Sequence, residues 1–429
     1  MHTLLILNPG HFHAALVLRE SHPDLARNIY VYSEKGPDLD RFIEMAGSFN
    51  NRPVDPTDWQ IHLYTGDDYL EKLIADKKGG IVVIAGKNNA KMAAIERLNR
   101  AGFSVLADKP WVISEKSLPL LRTAMQSDRP FTLDIMTERF EITTQLQKAF
   151  LAEEAVVGRI RIDEDGSPSV FKESIHHLYK IVNRQPLVRP PWYFDTDVQG
   201  EGIIDVTTHL VDMTHWMLFR GQGISYSEDI RLLDARRWST LIPPDRFGKI
   251  TGLDRFPDSV RDSATDSGLD YFCNGELLYR VREIPVKIRV IWNLEIPEGG
   301  GDTHLSIIKG TRSDLQIRQL PQHDFKVELL IIPRQDPSGV AAAVQQCLDR
   351  WSKKFPGLYI TREKDSILVN IPDPLRTTHE EHFCQVRDMY LGFLQKNDYP
   401  EETRAGIVSK YTLLAEARKM ALASPFEPI

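Results

Sequence analysis

The sequence is poor in cysteine, lacks long apolar runs and has no excess of basic residues, and each deficit excludes a class of protein. Its 429 residues include 3 Cys without C-x-x-C spacing, so we expect neither a disulfide framework nor a cysteine zinc site. Lys and Arg number 53 against 60 Asp and Glu, and the resulting net charge of -7 disfavours nucleic acid as a partner.

The hydropathy pattern disfavours insertion into a membrane. The apolar run from Leu4 to Leu7 is too short for the core of a signal peptide, and no stretch approaches the roughly 18 apolar residues of a membrane span. We therefore expect a protein without a membrane span that resides in the cytoplasm. A chain from which an export signal had been removed would show the same pattern.

The length predicts two or three domains. Up to about residue 130, apolar strands alternate with helical segments, the first helix being predicted at 13–20 and the strands at 4–7, 28–32, 61–64, 81–85 and 104–107. Strands that are apolar throughout and separated by helices indicate a parallel sheet covered on both faces. Residues 1–130 are therefore predicted to form a doubly wound α/β domain.

The pattern changes beyond residue 130. Short alternating runs at 269–273, 277–282, 286–292 and 304–308 predict a largely antiparallel, open-faced sheet. Apolar spacing within 376–422 predicts helices, and the polar segment 228–265 is interpreted as a long loop. Residues 131–429 are therefore predicted to form a second, α+β domain.

The turn after the first strand is a candidate dinucleotide site. Its sequence Asn8-Pro9-Gly10-His11-Phe12-His13-Ala14 aligns with the G-x-G-x-x-G/A fingerprint and keeps the central glycine. Glu34, at the end of the second strand, would accept the ribose hydroxyls and repel a 2′-phosphate, so NAD is favoured over NADP, although Lys35 weakens this preference. An ordinary turn of another α/β fold is the alternative. The candidate cofactor-binding residues here are Asn8, Gly10, His11, Phe12, His13 and Glu34.

The pair His11 and His13 also raises the question of a metal. Two histidines on one strand-to-helix turn, with no cysteine or carboxylate nearby in the sequence, make a poor zinc site. We therefore predict no metal and favour packing of these rings against cofactor phosphates.

Two further groups of polar residues are candidates for chemistry. Lys109 follows the strand at 104–107, and the carboxyl ends of strands in an open α/β sheet face the ligand crevice, although most lysines are simply surface residues. Asp205, His209 and Asp212 recur at i, i+4 and i+7 of a predicted helix, so we expect them on one face. Burying titratable groups is costly unless they are paired, which favours a functional pocket over a purely structural network.

Three motifs make the chain similar to the glucose-fructose oxidoreductase / inositol dehydrogenase (Gfo/Idh/MocA) family. The family's E-K-P corresponds to 108–110, its G-G-x-x-x-D-x-G-x-H-x-x-D to 200–212, and its T-P-N-x-x-H, in degraded form, to 86–91. Residues 202–209 in particular resemble a bacterial oxidoreductase subgroup with a distinctive C-terminal domain. Asn8, His13 and Lys91 depart from the family, which has glycine, glycine and histidine at these positions.

The resemblance implies a Rossmann dinucleotide-binding domain at 1–130 and a substrate and oligomerisation domain at 131–429. It implies an NAD(H)-dependent oxidoreductase that transfers a hydride between nicotinamide and a hydroxyl or keto group of a sugar or polyol. By the same resemblance Asn88 and Lys109 join the cofactor-binding residues. The implied catalytic residues are Lys109, Asp205 and His209.

The types of these three residues suit that chemistry. His209 has an unperturbed pKa near neutrality, as a base that removes a hydroxyl proton requires. Lys109 would stabilise a developing alkoxide, and Asp205 would hold the substrate or tune its neighbours.

Three aromatic or imidazole residues upstream of the second motif are candidates for binding the substrate. Sugars bind to aromatic faces together with planar hydrogen-bond donors, and His177, Tyr179 and Trp192 precede the motif in what we interpret as a substrate loop. Ordinary anchoring of that loop is the alternative.

Other functions and the state of assembly stay open at this point. A sugar-active enzyme could recycle a tightly bound NAD during glycoside cleavage or epimerisation. A non-catalytic Rossmann-type binding or regulatory protein is suggested by the degraded fingerprint, whereas the retained Lys109, Asp205 and His209 argue against it. We expect a homo-oligomer, a dimer or tetramer, because in the resembling family the open sheet face commonly packs subunits together.

Overall fold

The computed structural model describes residues 1–127, 130–182 and 185–423. The strands, numbered in chain order, are β1 (Leu4–Leu7), β2 (Asn28–Ser33), β3 (Gln60–Thr65), β4 (Ile81–Ile84), β5 (Ser104–Asp108), β6 (Thr132–Ile135), β7 (Val170–Tyr179), β8 (Ile181–Val182), β9 (Gln185–Pro186), β10 (Ile230–Ile242), β11 (Ala264–Thr265), β12 (Gly268–Val281), β13 (Ile284–Glu295), β14 (Thr303–Ile308), β15 (Ser313–Gln319), β16 (Glu328–Pro333), β17 (Tyr359–Arg362) and β18 (Ile367–Asn370).

The α-helices are α1 (His13–Leu16), α2 (Pro37–Asn51), α3 (Tyr69–Asp76), α4 (Lys91–Arg100), α5 (Leu118–Ala124), α6 (Ile142–Leu151), α7 (Thr196–Gln199), α8 (Thr207–Leu218), α9 (Tyr226–Asp229), α10 (Pro244–Thr251), α11 (Pro337–Trp351), α12 (His379–Lys396) and α13 (Glu401–Ala423). Short 3-10 turns lie at Glu115–Ser117, Thr137–Phe140, Pro191–Phe194, Asp258–Ser263, Pro321–His323 and Asp373–Leu375. Among the described residues, none of the helices combines the length and the apolar character needed to cross a membrane.

The chain divides into two compact units. Of the described residues, the first unit contains those within 1–140, 197–200 and 378–415, and the second contains the others.

The first unit is built on a six-stranded sheet in the order β3-β2-β1-β4-β5-β6, and every pairing in it is parallel. The central strands β1 and β4 are buried at every position, as expected for a sheet covered on both faces. This strand order defines the Rossmann fold and confirms the doubly wound sheet predicted from the sequence. The order reverses between β1 and β4, so ligands bind beyond the carboxyl ends of these strands in proteins of this fold.

The core of the first unit includes residues from near the C-terminus. Phe383, Val386 and Tyr390 of α12 are buried in the same apolar cluster as β1 and β4. Arg387 is also buried, and its Nη1 donates to the carbonyl oxygens of Val17, at 2.8 Å, and Glu20, at 2.6 Å. The helices predicted within 376–422 are therefore present, and they complete the packing of the first unit.

The second unit contains a long mixed sheet in the order β10-β12-β13-β7-β14-β15-β16-β18-β17. The pair β13 and β7 is parallel and the other neighbours are antiparallel, which confirms the predicted, largely antiparallel sheet. Along β13, Val286, Ile288 and Val290 are buried whereas Lys287 and Arg289 are half-buried, so the two faces of the sheet differ in polarity.

Two predictions about local structure are wrong. The segment 228–265 is not a long loop, because it contains β10, α10 and a 3-10 turn. β10 ends the sheet order and carries charged side chains, a pattern typical of edge strands that obscures the alternation of a strand in the sequence. His177 and Tyr179 do not lie in a loop either, because they end β7.

Candidate functional site

The turn that follows β1 packs closely on the turn that follows β4. The amides of Gly10 and His11 both donate to the carbonyl oxygen of Ala85, at 3.0 and 3.1 Å. A Cβ atom on Gly86 would lie 2.9 Å from the Gly10 nitrogen, so this approach requires glycine. The following helix is a single turn, His13–Leu16, rather than the predicted 13–20.

Asn8 occupies the position of the first fingerprint glycine and adopts a φ of 41°. This left-handed backbone is normally reserved for glycine, but asparagine tolerates it, so the turn survives the substitution. The Asn8 side chain then joins Glu34: Asn8 Nδ2 donates to Glu34 Oε1 at 2.9 Å. Asn8, Gly10, Glu34, Lys35 and Lys87 line one pocket at the carboxyl ends of β1 and β2.

Beside this turn, His13 and Asp108 form a hydrogen bond of 2.8 Å between Nδ1 and Oδ2. Burial would raise the pKa of Asp108, but His13 and Lys91 outweigh it and hold this pKa far below the usual range. The ionised carboxylate can only accept, so His13 Nδ1 carries the proton. Burial lowers the pKa of His13, although the neighbouring Asp108 opposes this effect. Burial lowers the pKa of His11 well below its usual value, and the nearby His13 lowers it further.

His11, His13 and Asp108 also meet the geometric requirement of a metal site, since one ligand atom from each lies within 4.8 Å of the others. Two histidines and a carboxylate are a ligand set that divalent iron uses. The carboxylate whose absence the prediction assumed is therefore present in the structure. Asp108 raises the pKa of His11, and Lys109 and Lys91 lower it. The absence of a metal stays a prediction.

Lys91, which stands where the resembling family has histidine, is a buried positioning group. Its Nζ donates to Asn88 Oδ1 at 2.5 Å and to the carbonyl oxygen of Asp108 at 2.8 Å. Asn88 is buried as well, and its Nδ2 donates to the carbonyl oxygen of Gln199 at 2.7 Å. The predicted cofactor residue Asn88 thus faces the protein interior and supports the segment that leads to Lys109.

Lys109 is half-buried at the end of β5. The bond to Pro110 is cis, and the following Trp111 is buried, stacking on Tyr411 with ring centroids 5.6 Å apart.

Phe12, the remaining predicted cofactor residue, is 48% exposed, and its ring centroid lies 4.5 Å from that of His13.

In the second unit, Asp205 lies in the turn before α8 rather than within the helix, because α8 begins at Thr207. The amides of Ile204 and Asp205 both donate to the carbonyl oxygen of Glu201, at 2.9 and 3.0 Å. Asp205 is buried and His209 is half-buried in the first turn of α8. The structure therefore places both residues at the N-terminal end of one helix.

This turn lies against β12 without space for side chains. A Cβ atom on Gly202 would lie 1.6 Å from the carbonyl oxygen of Cys273. A Cβ atom on Gly275 would lie 2.5 Å from Cα of Ile203. The two glycines thus fix the position from which Asp205 and His209 extend.

Glu201 is a buried carboxylate that the sequence analysis missed. Its Oε2 accepts from Arg237 Nε at 2.6 Å, and its Oε1 accepts from Arg418 Nε at 3.0 Å. The side chain of Glu201 is 3% exposed. Glu201 stands where the motif of the resembling family has its second glycine, and this departure was the available signal. Its partners lie 36 and 217 residues away and cannot be predicted from spacing.

The end of β7 is organised by Asp302, which the sequence analysis also missed. Its carboxylate contacts His177 Nδ1 at 3.0 Å and Lys180 Nζ at 2.8 Å, and it lies 3.5 Å from His176 Nδ1. His176 and Lys180 outweigh the effect of burial and lower the pKa of Asp302. His177 is only 3% exposed, and its ring contacts Asp302 inside the protein. Tyr179 is half-buried.

Arg189 lies at the same end of the sheet, where its Nε donates to the carbonyl oxygen of Leu178 at 3.3 Å. Its guanidinium lies 4.8 Å from the ring centroid of Tyr193 and 5.2 Å from that of Trp292. Tyr193 is buried; burial raises the pKa of its hydroxyl, and the opposite charges of Arg189 and Asp205 both act on it. The neighbouring Trp192, a predicted substrate residue, is half-buried in the 3-10 turn 191–194.

The fold and these sites define a protein whose first unit has the Rossmann fold and whose second unit is built on a large mixed sheet. Residues 146–422 match the family model described as "Putative oxidoreductase C terminal domain", which spans well over half of the chain. The protein therefore belongs to this oxidoreductase family. None of the curated proteins matches it.

Three solved structures are similar to this chain over nearly its whole length. A putative oxidoreductase from Parabacteroides merdae ATCC 43184 is 40% identical, with a TM-score of 0.95, over 99% of this chain and 98% of that one. Levoglucosan dehydrogenase in complex with NADH and levoglucosan is 13% identical, with a TM-score of 0.65, over 98% and 97% of the two chains. GenD2 from gentamicin A biosynthesis in complex with NAD is 13% identical, with a TM-score of 0.59, over 99% and 95%. The last two share the fold.

Proposed function

We propose that the protein is an NAD(H)-dependent oxidoreductase of the Gfo/Idh/MocA type that acts on a hydroxyl or keto group of a sugar or polyol. The observation that carries this proposal is the pocket of the first unit, where Glu34 is held at the carboxyl end of β2 in a sheet of Rossmann order. Two proteins of the same fold bind NAD or NADH by their names, and one of these binds levoglucosan.

The residues of the first unit fit a dinucleotide. Glu34 would accept the adenosine ribose hydroxyls, and Gly10, His11 and Phe12 would lie along the pyrophosphate. Charges of both signs act on His11 at this turn, because Asp108 raises its pKa whereas Lys109 and Lys91 lower it. The nicotinamide, when bound, supplies the hydride chemistry.

We assign the proton chemistry to three residues. His209 acts as the base that removes the hydroxyl proton during oxidation, since imidazole titrates near neutral pH. Lys109 stabilises the developing negative charge on that oxygen, and Asp205 orients the substrate hydroxyl by accepting a hydrogen bond. We assign dinucleotide binding to residues 1–130 and substrate binding to residues 131–429.

Substrate recognition is proposed for the end of β7 and the 3-10 turn that follows. Tyr179 and Trp192 are half-buried and present aromatic surface of the kind that sugars contact. His177 is proposed to orient the substrate through Asp302, to which its Nδ1 is bonded.

Cofactor titrations and a polyol panel test this function. We expect NAD+ or NADH to raise the melting temperature, and His209→Ala to keep that shift while losing turnover by at least about a hundredfold. Lys109→Ala should lose turnover to the same extent and show a smaller shift, because Lys109 is also a candidate cofactor-binding residue. Lys116→Ala, on an exposed side chain of the same segment, and His323→Ala, remote in the chain, are matched controls that should keep activity. Absence of any shift with NAD(H) and NADP(H) would refute the proposal.

We also propose that the chain forms a homo-oligomer through the more polar face of the second sheet, where Lys287 and Arg289 of β13 are half-buried. Light scattering at micromolar concentration should give a dimer or tetramer. A monomer would contradict this assignment.

A further inference from the structure

The side chain of Asn8 forms contacts that the glycine of the fingerprint cannot form. Its Nδ2 donates to Glu34 Oε1 at 2.9 Å and to the Tyr69 hydroxyl at 3.3 Å. Its Oδ1 accepts from the Ser33 hydroxyl at 2.9 Å. Asn8 therefore connects the turn after β1 with Ser33, the last residue of β2, and with Glu34, which follows it.

The pocket around Glu34 carries charges of both signs. Lys35 and Lys87 line it together with Glu34 and with Asp38, whose carboxylate pairs with Arg41. A 2′-phosphate on the adenosine ribose would be attracted by the two lysines and repelled by the carboxylate, whereas ribose hydroxyls need the carboxylate as an acceptor. Which dinucleotide is preferred thus depends on where the Glu34 carboxylate is held.

Glu34 is an exposed side chain, and fixing such a chain on binding costs rotamer entropy. The hydrogen bond from Asn8 fixes the carboxylate before the ligand arrives. Tyr69 supports this arrangement, because its hydroxyl also accepts from Asn8 Nδ2, and burial and the nearby Glu34 raise the pKa of that hydroxyl.

We propose that Asn8 is a specificity-determining residue, which favours NAD over NADP by holding Glu34 in the pocket. This inference rests on the proposed dinucleotide-dependent function and goes beyond it, because it assigns the choice of cofactor to a residue that replaces a fingerprint glycine.

The test compares the affinities of NAD+ and NADP+ by calorimetry for the wild type and for Asn8→Gly. Glycine accepts a φ of 41° without strain, so this variant keeps the turn and removes only the side-chain contacts. We expect NAD+ to bind about five- to tenfold more weakly and NADP+ to be unaffected or improved, which lowers the NAD+ to NADP+ affinity ratio at least about fivefold.

A matched control is Asn397→Gly. Asn397 follows α12 with a φ of 54°, so the same substitution is made in the same type of backbone at another site. Both affinities should stay at their wild-type values. A second variant, Asn8→Asp, keeps the size but replaces the donor by a carboxylate that repels Glu34, so NAD+ binding should fall further than in Asn8→Gly.

Four results would overturn the inference. They are an unchanged affinity ratio in Asn8→Gly, a wild-type preference for NADP+, an Asn8→Asp variant that binds NAD+ as the wild type does, and an equal change of ratio in Asn397→Gly. Each of these leaves the dinucleotide-dependent function intact. A wild type that binds neither dinucleotide would instead refute the proposed function and the inference together.

Discussion

The ammonium nitrogen of Lys172 lies 2.6 Å from the hydroxyl oxygen of Ser306 inside the second unit, and both side chains are fully buried. Ser306 in turn donates to Gln147 Oε1 at 3.0 Å, so the lysine contacts neutral groups. Burial accordingly lowers the pKa of Lys172 to about 7.

Lys172→Met should stabilise the protein below neutral pH. The pKa of Lys172 is about 7 in the folded state and near 10.4 in the unfolded state. Burying the ammonium therefore costs no stability above pH 10.4, because the lysine is neutral in both states. The cost grows as the pH falls from 10.4 to about 7 and stays constant at lower pH. We expect a gain of about 2–4 kcal/mol in unfolding free energy at pH 6 and little change at pH 10.5, from urea titrations. Lys353→Met, on an exposed lysine, should show no such pH dependence. A gain equal at both pH values would contradict the argument.

Glu201→Gln should be strongly destabilising. It leaves Arg237 and Arg418 facing a neutral amide, and breaking a buried ion pair costs about 3–5 kcal/mol. Glu276→Gln is the matched control, because Glu276 pairs with Lys287 at 3.0 Å in a more exposed position and should lose less than about 1 kcal/mol. Chemical denaturation of both variants measures the difference, and equal losses would show that the buried carboxylate is not the stabilising group.

Gly202→Ala should lose more than about 3 kcal/mol of unfolding free energy, because the new Cβ would overlap the Cys273 carbonyl at 1.6 Å and move the turn that carries Asp205. Gly392→Ala provides the contrast. Gly392 lies inside α12, and the space into which an alanine methyl group would project is open, so alanine there should add about 0.5–1 kcal/mol. Thermal melts of the two variants that shift in the same direction would be inconsistent with this steric account.

Asp108→Asn should destabilise the protein at neutral pH and less so in acid. The folded-state pKa of Asp108 is depressed, so its stabilising effect is present above the unfolded value near 3.9 and is lost as pH falls further. We expect a loss of about 1–3 kcal/mol at pH 7.5 that narrows below pH 4, in urea titrations. Asp365→Asn, on an exposed side chain, should give no loss at either pH.

The sequence predicts the centre of the first sheet well because β1 and β4 are short apolar runs bounded by turn residues. β1 and β4 are buried on both faces, so their composition alone identifies them. β10 was missed for the opposite reason: Arg231 and Arg236 are exposed on it, and its partner β12 lies distant in the sequence.

Some residues of the candidate site could likewise be predicted from the sequence, and others could not. Glu34 and Lys109 follow apolar strands, so their placement at strand ends could be predicted. Asp302 and Arg418 gain their roles only through contacts with residues far along the chain, which no local spacing encodes. Asn8 lies between these cases, since its position was evident but its bond to Glu34 depends on a left-handed backbone.

The contribution of α12 to the first unit has a consequence for how the chain is made. The carbonyl oxygens of Leu16 and Val17 accept from Cys384 and Arg387, and Phe383 is buried beside the first strand. Residues 1–140 leave the ribosome long before α12 is synthesised. The apolar surface that α12 covers in the folded first unit therefore stays exposed until synthesis is nearly complete. The part of the chain that is translated first is therefore among the last to reach its final packing.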